Sequence, residues 1–124
     1  MSSNTTCPTA AIMSMDGFHL PRSALDKMPD PVTAHKRRGS PWTFDAEAAV
    51  EMVRRCRSAD VDVAAPTFDH AVKDPVKDGV IIPKGIRILI FEGNYLLSSE
   101  PPWGSIAGLV DERWYINVDQ KLAR

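Results

Sequence analysis

Ile86–Phe91, IRILIF, followed directly by Glu92-Gly93-Asn94-Tyr95, is the stretch that decides the fold. A run this apolar, interrupted only by Arg87, reads as a buried strand of a parallel sheet, because such strands are covered on both faces and need no polar alternation. An acidic side chain at its end is expensive unless it meets a cation, hydrogen-bond donors or water. Open α/β sheets gather their ligands at these carboxyl ends. Upstream, Ala10–Met15 (AAIMSM) repeats the pattern and again ends in an acid, within Asp16-Gly17-Phe18-His19.

The residues between the two runs supply helices. Asp45 is a good N-cap, Glu47 suits the positive end of a helix dipole, and Ala46–Arg57 are mostly strong helix formers. Ala49, Val50, Met52, Val53 and Cys56 form its apolar stripe. Leu20–Met28 fits a short helical turn, and Pro29–Pro41 reads as an irregular basic loop. Val61–Ala65 predicts a strand leading into a loop from Pro66 to Pro75, and Val80–Ile82 a short edge piece ended by Pro83. Beyond IRILIF, Trp103–Leu109 predicts a short helix, Arg113–Val118 (RWYINV) a further strand, and Asp119 the start of another helix. Strands alternating with helices give the class α/β, with a parallel sheet. The ten prolines divide the chain into short elements. One domain over residues 10–124 is expected, after a flexible stretch at 1–9.

Composition excludes some roles. The formal net charge of -1, from 15 basic and 16 acidic residues spread along the chain, provides no clustered cations for nucleic acid or a membrane surface. No apolar run approaches the roughly 20 residues that span a bilayer. Cys7 and Cys56 have neither metal-like nor secreted-type spacing and read as free thiols. With no signal-peptide pattern at the N-terminus, a cytoplasmic location is expected. Met13, Met15, Met28 and Met52 read as packing residues, and Trp42, Trp103 and Trp114 as core or interface anchors.

Three polar groups carry candidate chemistry. Asp16, at a strand end, is suited to receive a proton from an acceptor hydroxyl and to lie near a metal-bound phosphate; Asp-Gly is equally a common turn pair. Glu92 is suited to Mg²⁺ through its oxygens or through water, or to capping a following helix or reaching solvent. Phe68, Asp69, His70 and Lys73 crowd one loop with groups able to bind a polar substrate, though charged loops are often simply solvated. The basic stretch His35-Lys36-Arg37-Arg38-Gly39 suits an anionic ligand or a solvated face.

In this order and spacing, MDGFHLPRSALDKMPDPVTAHKRRGSPWTFD, APTFDHAVKDP, ILIFEGNYLL and RWYINVD resemble the P-loop kinase superfamily of uridine kinase, phosphoribulokinase and bacterial-type pantothenate kinase. The likeness is greatest to the uridine-kinase-like ATP-dependent kinases of fungi and bacteria. The resemblance implies a P-loop NTPase-type three-layer fold with a mostly parallel sheet, here incomplete. It implies Asp16 as catalytic base that also lies near Mg²⁺, and Glu92 as the acidic residue that holds Mg²⁺ through water. It further implies His19, Arg37, Arg38, Phe68, Asp69, His70 and Lys73 as residues on the acceptor side, with ATP as phosphoryl donor and a small hydroxylated metabolite as partner. One departure stands out. Family members carry a strand, G-x-x-x-x-G-K-[ST] and a helix before the Asp16-like motif, whereas only fifteen residues precede Asp16 and none of the seven glycines is followed by Lys. The chain also stops at Arg124, where the family continues into an Arg-bearing lid. The expectation is a partial kinase domain, inactive alone, with an open sheet able to self-associate; the alternative is a remnant that binds a small molecule or another chain. A metal-dependent phosphohydrolase with Asp16 as nucleophile is disfavoured, because Phe18 stands where its second carboxylate belongs.

Overall fold

The computed structural model describes residues 9–116. In chain order its elements are β1 (Ala10–Ser14), a 3₁₀ turn (Met15–Phe18), α1 (Arg22–Asp26), α2 (Pro31–Lys36), a second 3₁₀ turn (Pro41–Thr43), α3 (Ala46–Ser58), β2 (Val63–Asp69), β3 (Asp74–Ile82), β4 (Ile88–Glu92) and a 3₁₀ segment (Trp103–Gly108). Cys7, nearly all of the expected N-terminal tail, and the helix expected from Asp119 lie outside the described residues.

β1 and β4 pair in parallel, with Ala10 opposite Ile88 and Ser14 opposite Glu92. Every other element up to β3 lies within the crossover between them, as parallel pairing requires. Side-chain alternation then decides what meets the core. Met13 is fully buried, and Ala11, Leu89 and Phe91 pack beside it. On the opposite face Ile12, Ile88 and Ile90 are 64%, 52% and 50% exposed. The apolar runs thus suit a sheet covered on both sides, while the described residues cover one.

α3 forms as its sequence predicts. The Asp45 carboxylate accepts the Ala48 N–H at 3.1 Å, and Ala46, Ala49, Val50 and Val53 are buried against a core that includes Met13, Met15, Phe18, Val63, Ala65 and Ile82. Met52 and Cys56 flank this stripe, only partly buried. Burial pushes the Cys56 thiol pKa up, against the pull of Arg55.

Three expectations are corrected. Pro29–Pro41 is not irregular throughout: the Asp30 side chain accepts from both the N–H and the hydroxyl of Thr33, and Pro31, whose missing N–H is harmless at the first helical position, opens α2. Pro66–Pro75 is not a loop. β2 runs on through Pro66 to Asp69, and β3 returns antiparallel from Asp74, so that Val80–Ile82 is only the end of a longer strand. Pro66 is tolerated because it sits at a break in register between Ala65 and Thr67, where no ladder donor is needed. Arg113–Ile116 is not strand; the rest of RWYINV lies outside the described residues. Trp103 is buried as a core anchor, while Trp42 and Trp114 are exposed. Among the described residues no helix is long and apolar enough to cross a membrane.

Two glycines let the site elements approach. A Cβ on Gly17 would stand 2.2 Å from the Pro66 carbonyl oxygen, and one on Gly93 would stand 2.3 Å from the Met15 Cβ. Both neighbours are backbone or the rigid base of a buried side chain, so neither yields cheaply. Gly17→Ala and Gly93→Ala are therefore each expected to destabilise the chain by about 1–3 kcal/mol in urea titration. Gly108→Ala, which meets nothing within 4 Å, serves as the comparison and should change little.

Candidate functional site

Asp16 and Glu92 lie at the same end of the parallel pair. Glu92 is the last residue of β4 and faces Ser14, and Asp16 follows Ser14 in the first 3₁₀ turn. The turn begins where the Ser14 hydroxyl oxygen accepts the Asp16 N–H at 3.1 Å. Asp16 is half-buried and Glu92 exposed. Among the described residues, no hydrogen bond engages either carboxylate, so both retain their oxygens for an outside partner. Among those residues, too, no three His, Cys, Asp or Glu side chains converge as a metal cage. Two oxygen-donor groups fit Mg²⁺, which is commonly held through one or two carboxylates while water and substrate phosphate complete its shell. They do not fit a dedicated all-protein site.

Beside them lies a stack of rings. The His19 ring sits between Phe44 and Phe68, with centroids 4.2 and 4.6 Å away, and His70 meets Phe68 edge-on at 4.9 Å. His19 is fixed from two directions. Flanking backbone bonds, Leu20 N–H to the Thr43 carbonyl at 2.9 Å and Asp45 N–H to the Phe18 carbonyl at 2.7 Å, press its segment along Phe44. Its Nδ1 lies 2.7 Å from the Asp16 carbonyl oxygen. A carbonyl only accepts, so Nδ1 carries the proton, and in the neutral ring Nε2 is left as an acceptor.

The other residues singled out from sequence divide. Asp69 turns inward on its own turn, its carboxylate accepting the Ala71 N–H at 2.8 Å and the Val72 N–H at 3.4 Å. Lys73 occupies the left-handed region, φ 60°, and its N–H closes the turn on the Asp69 carbonyl at 2.7 Å. Arg37 and His70 are exposed. Arg38 is largely enclosed: its guanidinium donates to the carbonyls of Lys73 and Leu20 and to the Asp74 carboxylate, lies 5.3 Å from the Phe68 ring centre, and keeps a buried Nε without a partner. His35 pairs with Asp26 at 2.6 Å, joining α1 to α2.

Sequence reasoning missed Asp74, Arg22, Phe44 and Tyr95. The Asp74 carboxylate also accepts from the Arg22 backbone N–H at 2.9 Å and from its Nε at 3.3 Å. The Tyr95 hydroxyl donates to the Gly39 carbonyl at 2.7 Å, tying the segment after β4 to the basic loop. Only the tight packing of charges into RSALD and HAVKDP hinted at the first pair. Nothing local marked the second.

No family profile matches the chain. The ATP-dependent kinase-like protein notR' of Aspergillus versicolor is 51% identical over 114 residues, which are 89% of this chain and 66% of that protein. This chain belongs to the uridine-kinase-like P-loop kinases. A candidate uridine kinase of Schizosaccharomyces pombe, C227.14, is 44% identical over 114 residues, covering 91% of this chain and 48% of that one. The crystal structure of YFH7 from Saccharomyces cerevisiae, described as a candidate P-loop kinase with a circular permutation, superposes with a TM-score of 0.75 at 38% identity, over 82% of this chain and 37% of that one. This kinase-family chain thus spans part of the length of the relatives it matches, and its α/β fold with a parallel strand pair is a partial P-loop kinase fold.

The Asp74 contacts make the site acid-sensitive. The Arg22 backbone N–H bond, and then the Arg38 and Arg22 side chains, hold the Asp74 carboxyl below the usual carboxylate range against the opposing effect of desolvation. A depressed folded-state pKa contributes stability that is complete above the ordinary carboxylate pKa of about 4 and is lost as pH falls through the lower folded value. Amide exchange in residues 70–74 is expected to show local opening only below about pH 4, a step that Asp74→Asn should remove.

Proposed function

We propose that this chain forms the acceptor-side and metal-side part of an ATP-dependent phosphotransferase acting on a hydroxyl of a small metabolite such as a nucleoside or a sugar. One observation carries the reading: two uncommitted carboxylates, Asp16 and Glu92, stand at the same end of neighbouring parallel strands, beside a stack of rings. Kinship with kinases supports it, and a relative named for uridine supports the nucleoside option.

In this reading Asp16 accepts the proton of the attacking hydroxyl. His19 Nε2 accepts a hydrogen bond from a second polar group of the acceptor, and Phe68 with His70 forms an apolar and aromatic wall against it. Glu92 and Asp16 would hold Mg²⁺, which supplies charge neutralisation to the phosphates of ATP. Transfer of a phosphoryl group depends on positioning and charge neutralisation, and within these 124 residues no Gly-Lys pair offers the phosphate loop. A polypeptide of this sequence alone is therefore read as catalytically silent.

Two measurements follow. Calorimetry of the 124-residue polypeptide with Mg²⁺ and ATP should show no specific heat, and micromolar affinity would overturn the assignment of nucleotide grip to residues outside it. In a form that includes the phosphate loop, Asp16→Asn should lower transfer by at least about 10²-fold and leave ATP affinity unchanged. Retained turnover would remove Asp16 from the role of base.

A further inference from the structure

We infer that Arg38 and Asp74 are positioning residues: together they clamp the turn between β2 and β3 onto the segment that carries Asp16 and His19, and so set the width of the acceptor site. The clamp spans three parts of the chain. Arg38, just beyond α2, reaches the Lys73 carbonyl at the turn, the Leu20 carbonyl one residue past His19, and the Asp74 carboxylate. Asp74 reaches back to Arg22 at the start of α1 through both backbone and side chain. The distances from Phe68 to His19 and to His70 are thereby fixed from both ends of the turn.

Three features favour positioning over direct ligand contact. Three of the five guanidinium N–H donors are spent on the chain itself. The Arg38 side chain is 15% exposed, leaving little of it for a substrate. Its Nε is buried unpaired, a penalty that persists only where other contacts hold the group in place. A planar fork is needed here, since one ammonium cannot reach two carbonyls and a carboxylate in fixed directions. The functional meaning of the clamp rests on the phosphotransferase reading, but its geometry does not.

The test therefore uses no nucleotide. In the full 124-residue chain, Asp74→Asn and Arg38→Lys are each expected to speed amide exchange at Ala71, Val72 and Lys73 about tenfold and to move the His19 and His70 ring-proton resonances, while α3 amides keep their rates. Should Asp74→Asn fail to fold, Arg22→Gln, which cuts one arm only, is expected to give the same pattern in weaker form. Wild-type exchange and ring shifts in Arg38→Lys would show a simple charge contact and overturn the clamp. Equal acceleration in α3 would reduce it to general stability and overturn it too. Absence of phosphoryl transfer in a form that includes the phosphate loop would remove the kinase reading and leave the clamp standing, so the two failures are distinguishable.

Discussion

Parallel pairing of β1 with β4, in the register that sets Ser14 opposite Glu92, brings two acids from distant parts of the chain to one end of the strands. Backbone hydrogen bonds fix that register, and a slip of one residue would turn each side chain to the opposite face. The closeness of Gly93 to Met15 and of Gly17 to Pro66 then lets the strand ends and the β2 bulge nest without a side chain between them.

Aromatic contacts extend the arrangement outward. Phe44 lies against His19, Tyr95 and Trp103, so it links the site to the core beneath. Thr43 is fully buried, yet its hydroxyl donates to the Ser40 carbonyl at 2.7 Å and accepts the Gly39 N–H at 2.9 Å. A buried polar group satisfied in both roles shapes the basic loop rather than weakening it. The same loop presents Arg38 inward and Arg37 outward, which separates two neighbouring arginines that sequence alone treats alike.

What could be read in the sequence were the features written locally. The IRILIF run, the Asp16 and Glu92 strand ends and the Asp45-capped helix all depend on a few adjacent residues. The β2–β3 hairpin was obscured because Pro66 and Pro75 look like loop punctuation, and only the register break and an early position in β3 make them compatible with strand. α2 was legible in principle, since Asp30, Pro31 and Thr33 form a good helix start, but the basic run after it dominated the reading. Asp74 and Tyr95 act across long sequence separations. Their roles exist only once the chain has folded, and no spacing rule announces them.

The same long-range pairing bears on how the chain is made. Ala10 is made before Ile88 and cannot bond with it until most of the described residues exist. Until then, β1 keeps its amide and carbonyl groups unpaired beside apolar Ile12 and Met13, while the hairpin and α3 can already assemble from nearby sequence. Loop closure of this span is slow relative to local contacts, and waiting strands of this kind are prone to pair with other chains. Of the two paired strands, the one made first thus waits longest for its partner.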